Sequence, residues 1–182
     1  MSINSALTLA YNQLSTFAGL DDFWGRFDTA FGANYDRTMA LTFQSQWLAG
    51  DFSLFPQIEV LDSSILGDAN GAYATSTNQI YLSNSFLANS TPEAISAVLL
   101  EEIGHFIDAQ INLSDSVGDE GEIWSNLVLN KPMTAAQLDA LKNENDWGTI
   151  AIDNQVISIE KSAGYVDVGF GGGDGIVNQS GL

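Results

Sequence analysis

His105, the single histidine of the chain, lies four residues after Glu101 and three after Glu102, in the run Leu99-Leu100-Glu101-Glu102-Ile103-Gly104-His105. On a helix, residues i and i+4 project from one face at a separation that a single ion can bridge, so Glu101 and His105 are candidate metal ligands. A carboxylate directly after the first ligand can polarise a metal-bound water and carry its proton, and Glu102 occupies that place. A third ligand must come from another element. The acidic run Asp119-Glu120-Gly121-Glu122 begins 14 residues beyond His105. The chain has no cysteine, so any bound metal takes oxygen and imidazole ligands only.

These residues need a helix to carry them. Ser90 or Thr91 supplies an N-cap, Pro92 suits the first helical position and Glu93 the first turn. Ile95, Val98, Leu99, Ile103, Phe106 and Ile107 form an apolar stripe at helical spacing, and Gly104 lets a neighbouring element approach closely. Glu101, His105, Asp108 and Asn112 follow at steps of four, three and four, which places them on one polar face. A second helix is predicted from Asp119 or Glu120 to Leu129. Upstream, Ala72-Tyr73-Ala74 and Gln79-Ile80-Tyr81-Leu82-Ser83 read as two short strands joined by a polar turn and leading straight into the central helix.

The rest of the chain supplies the body. Ile3, Leu7, Ala10, Leu14 and Phe17 mark one amphipathic helix, Phe23, Phe27 and Phe31 a second, and Met39, Phe43 and Trp47 a third over residues 36–48. These aromatic positions read as core. Gln57-Ile58-Glu59-Val60-Leu61 is strand-like after Pro56. Thr134 caps a helix over residues 135–144, and strands over 149–152 and 156–160 turn at Asp153-Asn154. The fold class is therefore α+β. Residues 1–50 form a helical part continuous with an α+β core over 51–165, followed by a glycine-rich tail or linker over 166–182.

At 182 residues the chain suits one domain with a sizeable core. Its 23 Asp and Glu against five Lys and Arg give a net charge of −18, which excludes nucleic acid as a partner and favours divalent cations. The N-terminal residues show no basic region followed by a sustained apolar run, so neither a signal peptide nor membrane insertion is expected there. The acidic, cysteine-free composition, rich in Asn, Ser and Gly, suits an extracellular, calcium-rich setting, with a cytoplasmic one left open.

The run Leu99 to His105, with Ile80-Tyr81-Leu82-Ser83 before it and Asp119-Glu120-Gly121-Glu122-Ile123-Trp124 after it, resembles the zincin metallopeptidases, with Glu101 in the place of the first histidine of His-Glu-x-x-His. The resemblance covers roughly residues 58–130. It implies a zincin-like fold and a divalent metal held by Glu101, His105 and Glu120, zinc foremost with calcium or manganese as alternatives. It further implies Glu102 as general base, and Ile80, Tyr81 and Leu82 as an edge strand that pairs with a peptide or protein substrate. Asp108, Asp119 and Glu122 are candidates for an additional metal or a supporting shell. The pairing of Glu-Glu-Ile-Gly-His with Gly-Asp-Glu-Gly-Glu is also similar to a domain of large, secreted, calcium-repeat proteins of bacteria, which implies an extracellular setting without an N-terminal signal peptide.

Glu101 in place of histidine makes the ligand set harder and more anionic, so zinc loses part of its advantage and the bound water is less acidic. A second expectation is thus a non-catalytic, calcium-binding structural or adhesive module, for which Asn112, Asp115, Asp119, Glu120 and Glu122 supply oxygen ligands. The blandest reading is a buried His105 bonded to a carboxylate such as Asp108 or Glu101 for the sake of the fold. A third expectation is a self-processing precursor that cuts its own glycine-rich tail.

Overall fold

The computed structural model describes residues 3–162, and over them the chain is α+β. Helices α1 (Ile3–Ala18), α2 (Phe23–Phe31) and α3 (Arg37–Leu48) come first, followed by strand β1 (Gln57–Leu61) and the one-turn helix α4 (Ser63–Leu66). Strands β2 (Gly71–Ala74) and β3 (Gln79–Ser83) form the predicted hairpin. The short helix α5 (Asn84–Asn89) leads to the long helix α6 (Pro92–Ile111). Then come α7 (Glu120–Val128), α8 (Ala135–Leu141) and the hairpin of β4 (Trp147–Ile152) with β5 (Gln155–Ser162). The boundary at residues 165/166 and the glycine-rich tail lie outside the described residues.

The five strands form one mixed sheet in the order β1-β3-β2-β5-β4. β1 runs parallel to β3, and the other neighbours are antiparallel. Asp153 and Asn154, with φ of 49° and 64°, make the β4–β5 turn, and both tolerate this left-handed region better than most residues. β5 joins β2 through Gly71 with Ser162, Ala72 with Lys161 and Tyr73 with Glu160. Residues two apart on β5 face the same way. Ile157 and Ile159 therefore pack in a small cluster with Leu61, Leu66, Ala72 and Tyr81 on one face of the sheet, while Glu160 and Ser162 turn toward the helices.

The larger core lies between that other face and the helices. At its centre Trp124 of α7 meets the rings of Phe17, Phe31, Phe27 and Trp47 at centroid distances of 4.9, 5.2, 5.7 and 5.8 Å. Every residue of α6 from Ile95 to Asp108 is buried, because α1, α7 and the sheet enclose the helix from several sides. The polar stripe read from its sequence thus lies inside the protein. Thr91 caps α6, its hydroxyl accepting from the Ala94 amide, and Pro92 occupies the first turn. Thr91→Ala should cost about 1 kcal/mol, read as a small drop in Tm with the fold unchanged by circular dichroism.

Three expectations about the elements need correction. The hairpin does not lead straight into the central helix, since Ser83 caps α5 by accepting from the Phe86 amide. The helix over 135–144 stops at Leu141, and the next residues turn toward β4. Most consequentially, Ile80, Tyr81 and Leu82 are not on an edge, because β3 is paired on both sides. Their side chains are buried, as expected when a strand covered on both faces carries an apolar run instead of an alternating pattern.

Candidate metal centre

α6 and α7 bring the candidate ligands together because both are pinched at one crossing. A Cβ on Gly104 would lie 2.8 Å from the Gly121 Cα, and a Cβ on Gly121 would lie 2.5 Å from the His105 Nε2. Only two glycines allow the helices this approach, and the space beside the imidazole depends on the second. Asp119 fixes the start of α7, its side chain accepting from the Glu122 amide at 2.6 Å, so that Glu120 turns inward at the first helical position.

The imidazole of His105 is fully buried, with carboxylates off both ring nitrogens. Nδ1 lies 2.9 Å from Glu120 Oε1 and 3.2 Å from Glu160 Oε2. Nε2 faces Asp146 Oδ2 at 3.6 Å and Asp119 Oδ1 at 4.0 Å, both too long for hydrogen bonds. A ring that donates from Nδ1 to Glu120 leaves the Nε2 lone pair directed at this second group, as in a histidine oriented by a carboxylate for metal binding. Oxygens of Glu101 and Asp119 lie within 4.8 Å of each other and of a His105 nitrogen, and Glu120, Asp146 and Glu160 make a similar group with the same histidine.

Seven carboxylates are buried in this region: Glu101, Glu102, Asp108, Asp119, Glu120, Asp146 and Glu160. None of the five Lys and Arg residues of the chain is buried. Glu101 Oε1, both oxygens of Glu102, Glu120 Oε2, Asp146 Oδ2 and His105 Nε2 have no hydrogen-bond partner among the described residues. Unpaired buried polar atoms are costly, and buried carboxylates respond by holding their protons or by binding a cation. Burial accordingly pushes Glu102 up to about 8, Glu120 to about 7 and Asp119 to about 6, and it raises Glu101 well above the usual carboxylate range. Burial lowers His105, but hydrogen bonds to Glu120 and Glu160 outweigh it and leave the imidazole well above its ordinary value.

Glu102 differs from the rest. It packs against β2, where a Cβ on Gly71 would lie 2.7 Å from its Oε1, and it belongs to neither group of clustered ligand atoms. Ser162 lies beside it and partly offsets its raised pKa, although no well-formed hydrogen bond joins the two. Asp108 is bound by Asn112 and Ser116 and clusters with Glu120 but not with His105, and Glu122 is only part-buried and stands outside both His105 groups.

Glu101 and Asp119 thus share one group with His105, whereas Glu120 belongs to the other, so the predicted set of Glu101, His105 and Glu120 does not converge as one cluster of ligand atoms. Asp146 and Glu160 were missed by the sequence reading. A glutamate at a core-facing position of a strand was the available signal for Glu160, whereas Asp146 had none, since it precedes β4 in a polar turn. Together the fold and the centre define an α+β domain with a buried histidine-carboxylate cluster. The chain matches no family model, no curated protein and no solved structure.

Proposed function

We propose that this chain is a divalent-cation-binding domain in which the ion is a buried structural element, joined to the imidazole at Nε2 and to carboxylates of Glu101, Asp119 and Asp146. The observation that carries the reading is the orphaned Nε2, which lies with unpaired buried oxygens in a cluster of carboxylates that no buried Lys or Arg balances. Glu120 and Glu160 orient the ring from Nδ1. One nitrogen among carboxylate oxygens is a hard donor set, suited to manganese or calcium as well as zinc. When bound, the ion supplies positive charge that lets these carboxylates ionise inside the protein. The cluster joins α6 and α7 to the β4–β5 hairpin, so the ion ties the C-terminal hairpin to the helical body. The setting that fits is a module of a larger secreted protein.

A second reading, a zincin-like peptidase, is favoured by Glu102, a fully buried carboxylate with both oxygens unpaired directly after a ligand candidate. It requires the closed centre to open, because every carboxylate in it is at most 8% exposed and β3 is paired on both sides. Elemental analysis of the purified protein, followed by reloading with zinc, manganese or calcium, tests the first reading. We expect a bound ion that His105→Ala removes, and a protein that takes up no ion would refute it. Glu102→Gln separates the two readings. The structural role predicts full ion content and no peptide hydrolysis by either protein, whereas hydrolysis by the wild type that this variant abolishes would establish the peptidase.

A further inference from the structure

A second set of carboxylate oxygens, one of them from an exposed residue, converges on Glu120. Carboxylate oxygens of Asp108, Asp115 and Glu120 lie within 4.8 Å of one another, and neither Asp108 nor Asp115 belongs to a group containing His105. Glu120 gives Oε1 to the imidazole, and its Oε2 is buried without a partner. Asp108 is buried and held rigidly: Oδ1 accepts from Asn112 Nδ2 at 2.6 Å and from Ser116 Oγ at 2.5 Å, and Oδ2 accepts from the Ser116 amide at 3.0 Å. Oδ2 therefore keeps one acceptor direction. Asp115 is exposed and is anchored through Oδ2 by the indole N–H of Trp147 at 3.0 Å.

We propose that Asp108, Asp115 and Glu120 hold a second cation, an ion that binds oxygen alone, such as calcium, with Glu120 bridging it to the His105 centre. The inference rests on the cation reading above for the state of His105 and Glu120, and it adds a separate ion. Charge supports it. One divalent ion offsets two negative charges, far fewer than the seven buried carboxylates carry when ionised. Three carboxylates without nitrogen or sulfur select a hard cation, and the exposed side at Asp115 leaves room for the waters that complete six to eight ligands around calcium. Trp147 also ties this outer site to the start of β4, so occupancy of both sites would fix the 112–118 loop and the hairpin together.

Native mass spectrometry of the whole chain after loading with calcium and manganese counts the ions. Two are expected in the wild type and one in Asp115→Asn, whose fold should survive because residue 115 is exposed. A single ion in the wild type, or two in that variant, would overturn the second site and leave the first standing. No bound ion at all would overturn both. Terbium gives an independent measurement, since a lanthanide in the outer site lies beside the Trp147 indole. Trp147→Phe should keep two ions while losing the larger part of the tryptophan-sensitised emission, and unchanged emission would count against the outer site.

Discussion

Stripped of divalent cations by a chelator, the protein should lose stability steeply as the pH is raised from 5 to 8, and adding back the ion should abolish that loss. The sign follows from the buried carboxylates. Burial raises the folded-state pKa of Glu101, Glu102, Asp119, Glu120, Asp146 and Glu160 above their unfolded values. The metal-free folded state then binds more protons than the unfolded chain, and its stability falls as pH rises past the unfolded values, near 4, toward the folded ones, about 6 for Asp119, 7 for Glu120 and 8 for Glu102. His105 acts in the same direction. Its folded pKa is raised, so its contribution is complete below its unfolded value and is lost as pH climbs through the folded one.

A divalent ion reverses the balance because it competes with protons for these oxygens, so its affinity grows with pH. A ligand at a thousand times its Kd stabilises by about 4 kcal/mol, and in a domain of this size that is on the order of 10 °C in Tm. Calorimetry at pH 5 and pH 8, with chelator and with manganese or calcium, reads the effect directly. Coincident Tm values with and without the ion at pH 8 would end the cation reading. Hydrogen exchange adds a location: the β4–β5 hairpin carries Glu160, follows directly on Asp146 and is joined to β2 by three residue pairs, so its amides should lose protection first on chelation.

What could be read from the sequence, and what could not, divides along physical lines. The helix of Glu101 and His105 was legible because its caps, its apolar stripe and its i+4 ligand spacing are all local. The start of α7 at Asp119 or Glu120 was legible for the same reason, whereas Glu120 as a site residue followed only from the resemblance. Strand pairing is not local. Whether Ile80-Tyr81-Leu82 stood at an edge depended on β1, some twenty residues upstream, docking parallel against it. That Glu160 joins the His105 centre could not be read from spacing, because β5 adds to β2 across almost ninety residues of chain, and Asp146, just before β4, carried no signal at all. The burial of the polar stripe was likewise set by α7 and the sheet closing over a face that looks solvated in isolation.

Gly121→Ala should remove the inner ion, whereas Gly104→Ala should weaken the fold and leave that ion in place. Both substitutions fall at the α6–α7 crossing, and helix propensity alone would favour alanine by about 1 kcal/mol. Packing decides the opposite way. On Gly104 a methyl meets the Gly121 Cα at 2.8 Å and Trp124 at 3.0 Å, so the helices must separate, and overpacking of this kind costs about 1–3 kcal/mol. On Gly121 a methyl meets the Glu101 carbonyl oxygen at 2.8 Å and the His105 imidazole at 2.5 Å from Nε2 and 2.6 Å from Cε1. The ring must then turn away from the space in which Nε2 faces Asp119 and Asp146. Ion counts and thermal melts on the two variants distinguish an imidazole that binds metal from one that only fills the core. Metal binding predicts a lower ion count for Gly121→Ala and a full count for Gly104→Ala. Equal counts in two equally destabilised variants would mean that Nε2 is not a ligand, because the methyl at Gly121 reaches that nitrogen directly and the methyl at Gly104 does not.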